Sequence, residues 1–137
     1  MRLLESTRLI EIQLRDGLRL EFNSTLPRFD VMAALSRYDK GLKLTELSEV
    51  LRVSNGNITG LVDRLVADGL IVRVAVPGDR RATLVRLTRK GKNQFTVQAA
   101  AHEQWVDELL AEFSADESAL LSGRLEQLRN SIQTTDE

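Results

Sequence analysis

The hydrophobic pattern of this chain changes its period near residue 69, and that change restricts the possible folds more than any other feature. Residues 44–67 carry apolar side chains at helical spacing, with one tight connection at Arg52 and Val53. Residues 70–87 are instead rich in β-branched side chains on both sides of a Pro-Gly turn. The pattern predicts two short helices followed by a β-hairpin.

Longer helical segments lie on both sides of this region. Ser114 and Glu117 form a capping-box pattern that marks the start of the last helix, and Thr88 is a good cap for the helix before it. Four helices are predicted, over about residues 3–22, 27–37, 89–112 and 115–132.

These elements, in this order, predict a mainly α fold with a small β-hairpin. Two short helices joined by a tight turn and followed by a hairpin form a winged helix-turn-helix, which we place at about residues 25–88. The parts at about 1–24 and 89–137 are predicted to be helical dimerisation parts of the same domain. With 137 residues, the chain fits one domain, residues 1–137.

The charge of the chain is unevenly distributed, although its formal net value is only −1. Residues 52–92 hold nine Lys/Arg and three Asp/Glu, whereas residues 103–137 hold two Lys/Arg and nine Asp/Glu. A basic segment of this kind suits phosphate binding, because phosphates respond to the nearby surface and not to the total charge. A solvated basic face without a partner is the alternative, and charge alone leaves both open.

The second short helix, predicted over residues 54–67, has a face suited to reading DNA. Gly56 and Gly60 lie one turn apart on the side opposite the apolar residues, although each glycine costs a helix about 1 kcal/mol relative to alanine. Their absence of side chains would let the backbone approach the floor of a groove. An Asn side chain can hydrogen-bond the edge of adenine in the major groove, and an Arg side chain can bind guanine or phosphate. The predicted DNA contacts on this helix are Ser54, Asn55, Gly56, Asn57, Thr59, Gly60 and Arg64. The alternative is a loosely packed surface helix near a turn.

The hairpin carries a basic tip, with strands predicted at residues 70–76 and 82–87 and a turn at 77–81. Arg80 and Arg81 are expected to enter a narrow minor groove, where the negative potential is enhanced. Asp79 could orient one of these arginines through a charge-assisted hydrogen bond. Further phosphate contacts are expected from Arg73, Arg86, Arg89, Lys90 and Lys92. An exposed turn with solvated charges is the alternative.

The part of the chain that holds the two short helices and the hairpin resembles the MarR family of bacterial and archaeal regulators. The resemblance rests on Leu-Thr-Glu-Leu-Ser at residues 44–48, on residues 53–65 and 68–71, on Asp-Arg-Arg at 79–81, and on Leu87, Thr88 and Gly91. It covers nearly the whole chain and is strongest from residue 29 to residue 92. It implies an obligate homodimer that binds a pseudo-palindromic DNA operator, usually for repression, and is released by a small ligand.

The implied dimer region consists of the first, fifth and sixth helices. Leucines in the terminal helices are more numerous than one small helix-turn-helix core could cover, although these helices could also pack on one another within one chain. The predicted dimerisation residues are Leu3, Leu4, Leu109, Leu110, Leu120, Leu121, Leu125 and Leu128.

The stretch at residues 101–110 looks like family members that control the catabolism of aromatic acids, some of which sense aromatic acyl-CoA thioesters. The resemblance therefore implies an aromatic acid or an aromatic acyl-CoA thioester as effector. Phe22, Phe29, His102 and Trp105 are the predicted lining of its pocket, between the dimer region and the helix-turn-helix. A half-buried Trp105 at the dimer interface beside a solvated His102 is the alternative. Redox sensing through cysteine is excluded, because the chain has none.

The composition gives little support to other classes of protein. One histidine, no cysteine and no phosphate-binding glycine loop leave little from which to build an enzyme, and no cofactor or metal site is predicted. No apolar run approaches the roughly 20 residues of a membrane span, so we expect a cytoplasmic protein without membrane contact. A winged helix that binds a protein partner, without specific DNA binding, is the alternative to the regulator.

Overall fold

The computed structural model describes residues 1–134 of the chain, and the last three residues of the predicted C-terminal helical part lie outside it. The described part contains six helices and three short strands. In chain order they are α1 (Arg2–Phe22), α2 (Leu26–Leu35), β1 (Leu42–Lys43), α3 (Leu44–Leu51), α4 (Asn55–Ala67), β2 (Ile71–Val76), β3 (Asp79–Leu87), α5 (Arg89–Leu109) and α6 (Ala115–Gln133).

The strands form one antiparallel sheet in the order β1-β3-β2. The predicted hairpin is present as β2 and β3, with Ile71 opposite Leu87. The sequence did not predict β1, in which Leu42 pairs with Val85 and Lys43 with Leu84. Two residues are too few to produce a period, so only pairing with β3 defines this strand.

The core lies between the sheet and helices α2, α3 and α4. α2 buries half of its ten residues, more than an amphipathic surface helix would. The fully buried large side chains of this core, on α2 and on the elements packed against it, are Val31, Met32, Leu35, Leu47, Ile58, Val62, Leu65, Ile71 and Val85. Burial of each such side chain contributes about 1.5–3 kcal/mol, so this core holds α4 firmly against the sheet.

The connection between α3 and α4 is as tight as the sequence predicts. Arg52 adopts a left-handed conformation with φ 53°, and the Val53 N–H donates to the Ser48 carbonyl at 3.2 Å. Ser54 then caps α4, because its Oγ accepts a hydrogen bond from the Asn57 N–H. Only three residues therefore connect the two helices, and the first turn of α4 begins at once.

The hairpin differs from its prediction at the tip. The turn contains only Pro77 and Gly78, and β3 already begins at Asp79. Val76 pairs with Asp79 whereas Ala75 pairs with Thr83, so residues 80–82 form a bulge in β3. Arg80 and Arg81 therefore belong to this bulge and not to the turn itself. A bulge displaces side chains from the regular alternation of a strand, which the sequence period alone does not reveal.

The chain divides into two compact units, one spanning Met1–Glu103 and the other beginning at Gln104. The first unit contains the whole winged helix-turn-helix together with α1. α6, in the second unit, begins with the predicted capping box, since Ser114 and Glu117 exchange hydrogen bonds of 2.9 and 3.2 Å. Across residues 1–134, no helix combines the length and the apolar character that crossing a membrane requires.

Candidate nucleic-acid interface

The outward face of α4 is exposed, whereas Ile58, Val62 and Leu65 on its inward face are fully buried. This is the orientation that the sequence predicts. A Cβ atom added to Gly56 would meet no atom within 4 Å, and one added to Gly60 would meet only the Arg64 guanidinium, at 3.9 Å. Packing within the described chain therefore does not require either glycine.

The polar side chains at the start of α4 differ in how much hydrogen-bonding capacity they retain. The Ser48 hydroxyl donates to Asn55 Oδ1 at 2.5 Å, which ties α3 to α4 and occupies that oxygen. The Thr59 hydroxyl donates to the Asn55 carbonyl at 2.9 Å. Within residues 1–134 no side chain hydrogen-bonds the Asn57 amide group. Because a bidentate contact to adenine uses both the oxygen and the nitrogen of the amide, Asn57 suits base reading better than Asn55.

The arginines of the hairpin bulge are exposed and carry no ion pair within the described part of the chain. Asp79 acts differently from the prediction, because its Oδ1 accepts a hydrogen bond of 3.0 Å from the Arg81 backbone N–H. Asp79 thus fixes the backbone of the bulge and does not hold a guanidinium. Arg80 and Arg81 keep their charged groups available for an anion outside the chain.

Arg73 has a different environment, which the sequence did not predict. Its guanidinium forms an ion pair with Asp63 of α4. The pair joins β2 to the middle of α4, and both side chains remain partly exposed, at 37% and 58%. The prediction that Arg73 contacts phosphate is not tested by this pairing.

Two lysines at the start of α5 contact the helix-turn-helix. Lys90 Nζ donates to the Asp68 carbonyl at 2.8 Å, and Lys92 Nζ lies 3.4 Å from Asp39 Oδ1. Arg86 and Arg89, by contrast, are exposed. The basic segment is therefore divided between side chains that fasten elements together and side chains that face solvent.

Two of the predicted pocket residues lie together in the first unit. The rings of Phe29 and His102 are stacked, with centroids 4.7 Å apart, and Phe95 approaches Phe29 at 5.6 Å. Gln98, one turn from His102, is completely buried, and its amide has no hydrogen-bond partner among the described residues. The sequence did not predict Phe95 and Gln98. Phe95 precedes Gln98 by three residues and His102 by seven, and this spacing would place all three on one helical face.

A carboxyl group lies near these rings. Partial burial raises the pKa of the Asp30 carboxyl above its ordinary value of 3.8; nearby His102 lowers it and Glu11 raises it again. Phe22 also belongs to the first unit and is half-buried, whereas Trp105 belongs to the second unit. The roles of Phe22 and Trp105 in a pocket stay predictions.

The predicted dimerisation leucines are largely uncovered within the single chain. Leu3 and Leu4 are exposed on α1, and α6 buries none of its 19 residues. Leu109 and Leu110 are half-buried. Exposed leucines and isoleucines on α6 are Leu120, Leu121, Leu125, Leu128 and Ile132.

The short helices, the exposed face of α4 and the basic hairpin define the winged helix-turn-helix class of proteins. The sequence profile of the MarR family matches residues 23–82. A MarR family transcriptional regulator from Silicibacter pomeroyi is 32% identical, with a TM-score of 0.79 and coverage of 96% of this chain and 90% of that one. The chain belongs to the MarR family.

Two further comparisons bear on function. A MarR variant from Escherichia coli, complexed with operator DNA, has a TM-score of 0.79 and 28% identity over 93% of this chain and 91% of that one. The transcriptional activatory protein BadR from Rhodopseudomonas palustris is 33% identical over 68% of this chain and 55% of its own length. The chain spans only 55–63% of the length of the first curated relatives it matches. MarR family regulators commonly bind small-molecule effectors.

Proposed function

We propose that this protein is a homodimeric transcriptional regulator that binds a pseudo-palindromic DNA operator in the cytoplasm, represses transcription and releases the operator when an effector binds. The observation that carries the proposal is the exposed face of α4, where Gly56 and Gly60 have no packing role within the described chain. A helix that tolerates two such glycines gains from close approach to another surface, and a groove of DNA is the surface that the adjoining Arg80 and Arg81 favour.

The basic bulge of the hairpin supports a second contact with the same DNA. Asp79 fixes the backbone at Arg81, so the bulge has a defined shape before any ligand is present. A preformed arginine pair loses less conformational entropy when it enters a narrow minor groove. α4 would then occupy the major groove while Arg80 and Arg81 occupy the neighbouring minor groove.

A second copy of the chain is the proposed partner of the terminal helices. α6 offers a row of exposed leucines and buries no residue within its own chain, which is unusual for a helix of 19 residues. A two-fold axis between two copies would present two α4 helices about 34 Å apart, which matches one turn of DNA. The palindromic form of the operator follows from that symmetry.

DNA binding is tested by fluorescence anisotropy with duplexes that tile the region upstream of the protein's own gene. We expect tight, salt-dependent binding to one tile, weakened by at least about 1 kcal/mol in Arg81→Ala. Arg124→Ala, on α6, removes the same charge outside the winged helix and serves as the matched control. Absence of binding at low salt, together with a protein partner that binds independently of salt, would favour the protein-interaction module instead.

We further propose that the effector is an aromatic acid or an aromatic acyl-CoA thioester that binds beside Phe29 and His102. Support comes from the stacked rings and from the buried Gln98 amide, whose unmet hydrogen bonds suit a polar group on such a ligand. By linkage, an effector that releases DNA must bind the free dimer more tightly than the operator complex.

Benzoate and benzoyl-CoA are suitable probes of this site. We expect operator release to shift to higher effector concentration in His102→Ala, because the ring that stacks on Phe29 is lost. Gln104→Ala is the matched control on the same helix. Equal affinity of a probe for free and operator-bound wild type would contradict its role as the effector.

A further inference from the structure

The ion pair between Arg73 and Asp63 joins the hairpin to the helix that is proposed to read DNA. Side chains on a strand alternate between its faces, so Arg73 shares a face of β2 with Ile71. Ile71 is buried in the core with Ile58 and Val62 of α4. The Arg73 guanidinium is therefore directed towards α4, in contrast to Arg80 and Arg81 in the bulge.

Asp63 occupies a position where an acidic residue calls for an explanation. It follows Thr59 by four residues and Gly60 by three, which places it one turn along the same outward side of α4. An uncompensated carboxylate there would repel the phosphates of bound DNA. Pairing with Arg73 neutralises the carboxylate and gives it a structural partner on β2.

We propose that Arg73 is a positioning residue, which fixes the hairpin relative to α4 through Asp63, and that it is not a phosphate ligand. The inference rests on the proposed function, because the benefit lies in DNA binding. α4 and the bulge must enter two grooves at once, so movement of the hairpin about β2 would have to be arrested on binding. A partly exposed pair adds little to global stability, so its effect lies in the geometry of the interface.

The test compares Arg73→Gln, Asp63→Asn and the double variant with wild type, by operator affinity at several salt concentrations. We expect each single variant to lose about tenfold in operator affinity, and the double variant to lose no more than either single one. The slope of log affinity against log salt should stay at the wild-type value, and affinity for a scrambled duplex should change less than operator affinity. Arg129→Gln is the matched control, because it removes an exposed arginine that is ion-paired with Glu126 on α6, outside the winged helix.

Three results would overturn the proposal. If Arg73 binds phosphate, Arg73→Gln reduces the salt slope by about one, and Asp63→Asn raises affinity or leaves it unchanged. If neither variant changes operator affinity, the pair has no role in binding. Hydrogen exchange of the β2 and β3 amides measures the mobility of the hairpin in the absence of DNA. We expect these amides to exchange faster in Arg73→Gln and in Asp63→Asn than in wild type. Unchanged exchange contradicts the positioning role of the Arg73–Asp63 pair, whereas failure of wild type to bind any duplex contradicts the proposed function alone.

Discussion

At the scale of single residues, Gly60 shows how helix stability and surface shape conflict on α4. It lies in the interior of the helix, where glycine is less favourable than alanine by about 1 kcal/mol. Among the described residues, the atom within 4 Å of a Cβ at this position would be the terminal nitrogen of Arg64, at an ordinary contact distance of 3.9 Å. Helix propensity at this position therefore favours alanine, and packing within the described chain does not explain the glycine. A contact with another molecule would explain it.

We predict that Gly60→Ala raises the free energy of unfolding by about 0.5–1 kcal/mol and at the same time weakens operator binding. The first effect follows from helix propensity, and the second from a methyl group on the surface that is proposed to approach DNA. Urea unfolding at fixed protein concentration and anisotropy with the operator tile measure the two effects. Unchanged operator affinity in a stabilised variant would exclude close approach of the α4 backbone to the groove.

Asp30 gives a prediction about pH. Its pKa is raised in the folded protein, chiefly by partial burial, so the folded state holds the proton more tightly than the unfolded state. The stability that this proton contributes is fully present below the ordinary value of 3.8 and is lost as the pH rises through the folded pKa. Charged Asp30 therefore costs stability at neutral pH.

We predict that Asp30→Asn is more stable than wild type at pH 7 and that the difference shrinks as the pH falls towards 4. Chemical unfolding across this range measures it, with the exposed Asp107→Asn on α5 as the control. A stability difference that is independent of pH would show that the effect of the substitution is not electrostatic.

At the scale of elements, the start of α5 is fitted closely to the turn between α4 and β2. The Thr88 hydroxyl donates to the Gly69 carbonyl at 2.6 Å, and the Thr88 N–H donates to the Leu70 carbonyl at 3.0 Å. Gly91 faces that same carbonyl so closely that an added Cβ would lie 2.0 Å from its oxygen. The Thr88 and Gly91 pattern carries part of the family resemblance. The structure explains the pattern, because this contact uses the Thr88 hydroxyl and leaves no room for a side chain at residue 91.

We predict that Gly91→Ala lowers the free energy of unfolding by about 1–3 kcal/mol, because backbone and not a flexible side chain would have to move. Thermal and chemical unfolding measure the loss. Gly56→Ala is the matched control: it introduces the same methyl group into a helix of the same unit, where nothing lies within 4 Å. Equal stability of the two variants would contradict the close fit of α5.

At the scale of the whole molecule, the apolar surface of α6, like that of α1, stays uncovered within the described part of one chain. Leu125 and Leu128 are more than two-fifths exposed, and no residue of the helix is buried. Because each of these leucines is already more than half covered, covering the rest would contribute about 1 kcal/mol per leucine to association. This surface is the physical basis for proposing a dimer.

We predict that wild type is a dimer and that Leu125→Glu is a monomer at the same concentration, because an unpaired charge in an apolar interface costs several kcal/mol. Light scattering after size exclusion measures the mass. Gln127→Glu adds the same charge at an exposed polar position of α6 and should remain dimeric. A dimeric Leu125→Glu would place the dimer contact elsewhere.

Local information in the sequence was enough to determine the helices, the hairpin and the inward face of α4. These features depend on residues only a few positions apart, so they can be predicted without knowledge of the fold. They include the helical and strand periods, the Ser54 cap and the Ser114–Glu117 capping box. The tertiary structure alone decided the rest. Strand β1 exists only through its pairing with β3, the bulge at residues 80–82 only through the register of the hairpin, and the Asp63–Arg73 pair only because α4 packs on β2. Each joins elements that are distant in sequence, so no local sequence period reveals it. These contacts decide which charged side chains are ion-paired and which stay exposed for the proposed contact with DNA.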